Sequence, residues 1–100
     1  MKIFKELKKL GYIHYSATTI EELDDLPLNS AERVSEQALV LRWFREKYKY
    51  YNQIHKGYGW EGIIRDSNNG DILWNDGTYN SPEEAELECL KKLIEIVKNK

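Results

Sequence analysis

Apolar residues recur along this chain at two spacings, one helical and one strand-like, and the switch between them marks out its elements. In K2-I-F-K-E-L-K-K-L-G11, Ile3, Leu7 and Leu10 stand at i, i+4 and i+7 with Phe4 beside them. This predicts a short amphipathic helix that stops at Gly11 and turns Lys2, Lys5, Lys8 and Lys9 to water. The next stretch, Y12-I-H-Y-S16, reads as a strand. T18-T-I-E-E-L23 then offers two N-cap threonines, each with a glutamate three residues on, which predicts a turn or two of helix ending before Pro27.

From Asn29 to Tyr48 there is neither Gly nor Pro, and Asn29 is followed three residues later by Glu32 as in a capping box. A helix of about five turns is expected. At about 100° per residue, Val34, Ala38, Leu41, Phe44 and Tyr48 fall on one side, with Leu39 and Trp43 almost opposite and one turn apart. A helix apolar on two faces needs two covers. The second face, Leu39 and Trp43, is expected to lie under the N-terminal helix or under a partner.

The period then becomes two. Tyr58, Trp60, Gly62 and Ile64 share one face of a strand, and Glu61, Ile63 and Arg65 take the other. S67-N-N-G-D71 supplies an Asn-Gly turn, and I72-L-W74 returns as its hairpin partner. With Y50-Y-N-Q-I-H55 ahead of it, joined through K56-G-Y-G59, this makes a three-stranded antiparallel meander.

The last helix, Ser81 to Lys98, carries the plainest start signal: Ser81 as N-cap, Pro82 at the first helical position, and Glu84 spaced from Ser81 as a capping box. Ala85, Cys89, Leu90, Leu93, Ile96 and Val97 form its apolar stripe, with Leu87 and Ile94 at or beyond the edge. The expected fold is therefore α+β: a three-stranded antiparallel meander with two main helices on one face (α-β-β-β-α), plus an N-terminal helical segment. Residues 1–100 form one domain, with 1–28 as the helical extension and 29–98 as the α-β-β-β-α core. The second sheet face is left open.

Composition narrows the function classes. Lys and Arg total 15 against 17 Asp and Glu, a net charge of -2, so there is no general attraction for nucleic acid or for an anionic membrane. The single cysteine, Cys89, has no internal disulfide partner, and no apolar run is long enough for a signal-peptide core or a membrane span. A cytoplasmic protein is expected.

Candidate chemistry is sparse. No GxGxxG, P-loop, HExxH, CxxC or GxSxG pattern occurs, and His14 and His55 lie in different elements without ligands at metal spacing. No catalytic residue, metal site or cofactor site is expected, and the chain is read as a non-enzyme. The acidic run Glu21, Glu22, Asp24 and Asp25 lacks the glycine-centred loop of a calcium site. Together with Leu39 and Trp43 it forms the candidate partner-binding set. An alternative nucleic-acid surface is an aromatic sheet face built from Tyr50, Tyr51, Lys56, Tyr58 and Arg65. The third alternative is a homo-oligomer that buries its own apolar surface.

Two resemblances follow. Helix, three strands, helix is the order of double-stranded RNA-binding domains, but the basic start of their last helix is here S81-P-E-E-A-E-L-E88, which repels phosphate, so RNA binding is not carried over. The combination of W43-F-R-E-K-Y48, a Trp- and Tyr-rich hairpin around D66-S-N-N-G-D71, and N80-S-P-E-E-A-E-L-E-C-L-K-K-L-I-E-I-V97 resembles small phage- and prophage-encoded proteins of gut bacteria. The resemblance covers roughly residues 37–98. It implies a phage accessory protein in the bacterial cytoplasm that acts by binding, possible targets being a host or anti-phage defence protein held in a stoichiometric inhibited complex. That family lends no functional residues.

Overall fold

The structure is a computed structural model that describes residues 2–14 and 18–99. Its elements are helices α1 (Ile3–Lys9), α2 (Ile20–Asp25) and α3 (Ala31–Tyr48), strands β1 (Tyr50–Lys56), β2 (Trp60–Asp66) and β3 (Ile72–Tyr79), and helix α4 (Pro82–Lys98). The α+β architecture read from the pattern is the one observed, an antiparallel sheet of order β1-β2-β3 flanked by helices.

Local chemistry sets most boundaries. Gly11, at φ 100°, closes α1: its N–H bonds to Lys8 O at 3.1 Å, and the Tyr12 N–H reaches Leu7 O at 3.0 Å. That double bond is the Schellman closure, which requires a left-handed residue at this position. Thr19 caps α2 by accepting the Glu22 N–H at 3.1 Å, and Ser81 caps α4 by accepting the Glu84 N–H at 3.1 Å. The cap of α3 is Ser30 rather than Asn29; the Ser30 hydroxyl accepts the Arg33 N–H, and the Pro27 to Ser30 turn leaves Asn29 one residue ahead of the cap.

Three further expectations are corrected. Residues Tyr12 to His14 are irregular rather than a strand, because Tyr12 is consumed in closing α1 and its ring is buried; Tyr15 and Ser16, which completed that expected strand, lie outside the described residues. The strand at Ile72 runs on to Tyr79, well past Trp74. The connection before it spans Ser67 to Asp71 and is held by Asp66 and Asn69 side chains on the backbone, a longer loop than a two-residue Asn-Gly turn.

In the sheet, Ile64 pairs with Asn52 and Trp74, and Gly62 with Ile54 and Asp76. These residues face α4. A Cβ built on Gly62 would lie 2.7 Å from Cys89 Sγ, so the absent side chain is what lets α4 cross the sheet this closely. Packed there are Ala85, Cys89, Leu90, Leu93 and also Ile94, which is fully buried rather than at the stripe's edge. Ile3, Phe4 and Leu7 of α1 belong to the same buried cluster as Val40, Phe44, Ile64 and Leu90. Polar contacts secure them. Asp24 accepts the Phe4 and Lys5 N–H groups at 2.9 and 3.1 Å, capping α1 from another helix, and Lys98 donates to Glu6 at 3.2 Å. The Lys98 bond holds the Glu6 carboxyl below the usual range.

Candidate functional site

The outer surface of α3 follows from what its inner surface buries. The buried line is Arg33, Glu36, Gln37, Val40 and Phe44, spaced i, i+3, i+4, i+7 and i+11. This overturns the expected face of Val34, Ala38 and Leu41. Of those, Val34 is 42% exposed, Ala38 is exposed and Leu41 is only half-buried.

Each buried polar group has a partner. Arg33 Nε donates to Gln37 Oε1 at 2.9 Å, and its Nη1 donates to the carbonyls of Asp24 and Leu26 at 3.2 and 2.8 Å. Those carbonyls close the end of α2, so the guanidinium serves as the helix's C-terminal cap. Its other flank lies over the Phe4 ring, 5.7 Å from the centroid. Gln37 Nε2 donates to Glu86 Oε1 of α4 at 3.1 Å, and the Tyr12 hydroxyl donates to Glu36. Burial, then that bond, push the Tyr12 hydroxyl well above its ordinary range, so it stays a neutral phenol that donates to the Glu36 side chain. Satisfied polar groups of this kind fix one orientation of the helix.

The consequence is that Val34 and Leu39 are exposed on different flanks of α3, with Arg42 and Glu46 paired in water between them. Leu39 is 53% exposed and stands beside Glu36 in a hollow lined also by Thr18, Ala31, Glu32 and Ser35. Ile13, 66% exposed, lines a second hollow of about 340 Å³ with Tyr12, His14 and Ile20. Tyr12 connects these places, because its ring also meets Trp43 edge-on at 5.5 Å. The second face of α3 is thus split. Trp43 is half-buried between Tyr12, Phe44 and Tyr48, with Lys47 Nζ 5.1 Å from its ring, whereas Leu39 is left to solvent.

The acidic run divides as well. Asp24 is occupied in capping α1, Asp25 lies 3.9 Å from Lys2 on the surface, and Glu21 and Glu22 are exposed. Among the described residues no cluster of three or more His, Cys, Asp or Glu is placed to hold a metal ion, and no helix is long and apolar enough to cross a membrane. The Cys89 thiol is buried and pushed up to about 12 by that burial and by Glu86.

The five residues of the aromatic sheet alternative do not share a surface. Tyr50 is buried on the α4 side and stacks on Tyr48 at 6.5 Å. Lys56 and Trp60 pair on that same side, with Lys56 Nζ 5.1 Å from the Trp60 ring. Tyr58 projects wholly into solvent from the β1–β2 turn. Only Tyr51 and Arg65 face each other across the open side, where Arg65 is tied to Gln53 Oε1 and Gly70 O at 2.8 and 3.0 Å.

Sequence reasoning missed Arg33, Glu36, Gln37 and Tyr12. The available signal was the i, i+4 pair Val40 and Phe44, which extended toward the N-terminus runs through Gln37, Glu36 and Arg33. Comparison with protein-family models, with curated proteins and with solved structures returns no match to this chain.

Proposed function

We propose that this chain is a non-enzymatic binding protein, a phage accessory protein of the bacterial cytoplasm that occupies a host or anti-phage defence protein in a stoichiometric complex. The observation that carries this reading is the inverted pattern of α3: the helix buries Arg33, Glu36 and Gln37 while Leu39, on a flank, is left 53% exposed. Apolar side chains held in water by a satisfied polar network beneath them are the arrangement expected of a contact surface. Glu21 and Glu22, exposed on the neighbouring helix, supply a charged rim of the kind that steers association.

The test is capture from bacterial lysate on tagged wild-type protein and on Leu39→Asp, with and without nuclease, read by mass spectrometry. One protein recovered in near-equal amount with the wild type, surviving nuclease and lost with Leu39→Asp, is the expected result. Capture that ignores the Leu39 change, or that vanishes on nuclease treatment, sinks the proposal. Glu22→Lys should weaken the same capture without abolishing it, more so at low salt.

A further inference from the structure

The loop between β2 and β3 holds the chain's only asparagine followed by glycine, Asn69-Gly70. Asn29, Asn52, Asn68, Asn75, Asn80 and Asn99 are each followed by a residue that carries a side chain. The backbone nitrogen next after an asparagine can close a small ring on the side-chain carbonyl carbon, and a Cβ beside that nitrogen hinders its approach. Gly70 has none. The whole loop from Ser67 to Asp71 is exposed to water, and the space where a Gly70 Cβ would stand is open, with no atom within 4 Å.

Hydrogen bonds within the loop act on both reacting groups. Asn69 Oδ1 accepts the Asp71 N–H at 2.9 Å, so a donor already stands where negative charge gathers as the ring closes. Against this, Gly70 is held at φ 77°, its N–H donates to Asp66 O at 2.8 Å, and Arg65 Nη1 donates to its carbonyl at 3.0 Å. The nitrogen is therefore tied in the closed loop, and reaction waits on that bond opening. Such openings cost least at the water-exposed end of a hairpin. No catalytic side chain is needed, because nucleophile and carbonyl are neighbours along the chain.

We propose that Asn69 is a site of self-modification, deamidation through a succinimide, with water as the only co-reactant. The Gly70 nitrogen gives its proton to water and bonds to Asn69 Cγ; the Cγ–Nδ2 bond breaks, and the amide nitrogen leaves as ammonia with a proton taken from water. Water then adds to either ring carbonyl and reopens the ring. The product is aspartate at position 69 or isoaspartate, in which the main chain runs through Cγ. Both put a new negative charge between Asp66 and Asp71. The isoaspartyl form also lengthens the main chain there, so the bonds from Gly70 N–H to Asp66 O and from Asp66 N–H to Asp71 O cannot both keep their geometry, and the hairpin loosens at this end. This site is separate from the α3 surface, and either can fail without the other.

The test is incubation of the whole folded chain in warm, mildly alkaline buffer, with peptide mass spectrometry across the loop and enzymatic labelling of isoaspartate over time. The exchange of an amide for an acid should appear at Asn69 at a rate about tenfold or more ahead of the exposed Asn68 beside it, with the isoaspartate label rising in step. Asn69→Gln, which keeps the amide but moves its carbon one bond further from the Gly70 nitrogen, should lose the label. An Asn69 that stays an amide while a peptide of the loop sequence is converted in the same buffer overturns the proposal, because the bond to Asp66 would then be holding the nitrogen shut. So does a label that survives Asn69→Gln, or conversion of Asn68 that keeps pace with Asn69.

Discussion

The two long helices are of nearly equal length, yet their inner faces are opposites. Helix α4 buries Ala85, Cys89, Leu90, Leu93 and Ile94, all apolar, and lies across the sheet. Helix α3 buries Arg33, Glu36 and Gln37 ahead of Val40 and Phe44, and its first half meets the carbonyl ends and side chains of the N-terminal segment. A helix that packs on a sheet is positioned by area. One that packs on the ends of other helices must satisfy polar groups, and its apolar residues are then free to point elsewhere.

The sharpest way to test this contrast is to truncate one buried side chain on each helix. Leu90→Ala, at the fully buried centre of α4, should cost about 2–5 kcal/mol in chemical denaturation, through lost transfer free energy and a residual cavity. On α3, Arg33→Met keeps the bulk but leaves Gln37 and the carbonyls of Asp24 and Leu26 without their donor, and should cost about 1–3 kcal/mol. If Arg33→Met raises the melting temperature instead, the polar face of α3 serves orientation alone and the contrast is one of specificity, not stability.

Alkaline titration probes both faces at once. The folded Cys89 thiol is pushed up to about 12 from 9.0, so between those values the unfolded chain binds fewer protons than the folded one. Its contribution is intact below pH 9 and is lost as pH rises, at about 1.4 kcal/mol per pH unit while the difference lasts. Tyr12, raised for the same reason of burial, adds to the decline above its ordinary value of 10.0. Cys89→Ala should flatten the first part of the slope and Tyr12→Phe the later part, both read from denaturation midpoints against pH. An unchanged slope in Cys89→Ala would mean that the thiol is not shielded as drawn.

The smallest effect belongs to the exposed Leu39. Leu39→Ser should alter stability by no more than about 0.5 kcal/mol, because that side chain is 53% exposed. A loss as large as that of Arg33→Met would show that Leu39 is covered within the chain itself, and would remove the basis for assigning a partner there.

Much of the molecule was legible in advance wherever the signal is local. The Gly11 stop, the Thr19 and Ser81 caps, the period-two meander and the apolar stripe of α4 all follow from interactions within a few residues. The candidate surface was half legible. Leu39 was singled out and is exposed, but Trp43 beside it is half-buried, because Tyr12, 31 positions earlier, packs against it. The acidic run was visible as charge, whereas the use of Asp24 as a cap for α1 depends on two helices meeting.

Taken alone, the sequence determined helices α1 to α4, the three strands of the meander though not the full length of β3, and that the class is α+β, since propensity, capping and periodicity act within a turn or a strand; the strand it suggested at Tyr12 does not form. The rotation of α3 was decided by tertiary structure. Hydropathy ranks Val34 and Leu41 above Arg33, Glu36 and Gln37 as core residues, and that order is reversed only because the end of α2, the Tyr12 hydroxyl and Glu86 arrive together to satisfy three polar side chains out of water.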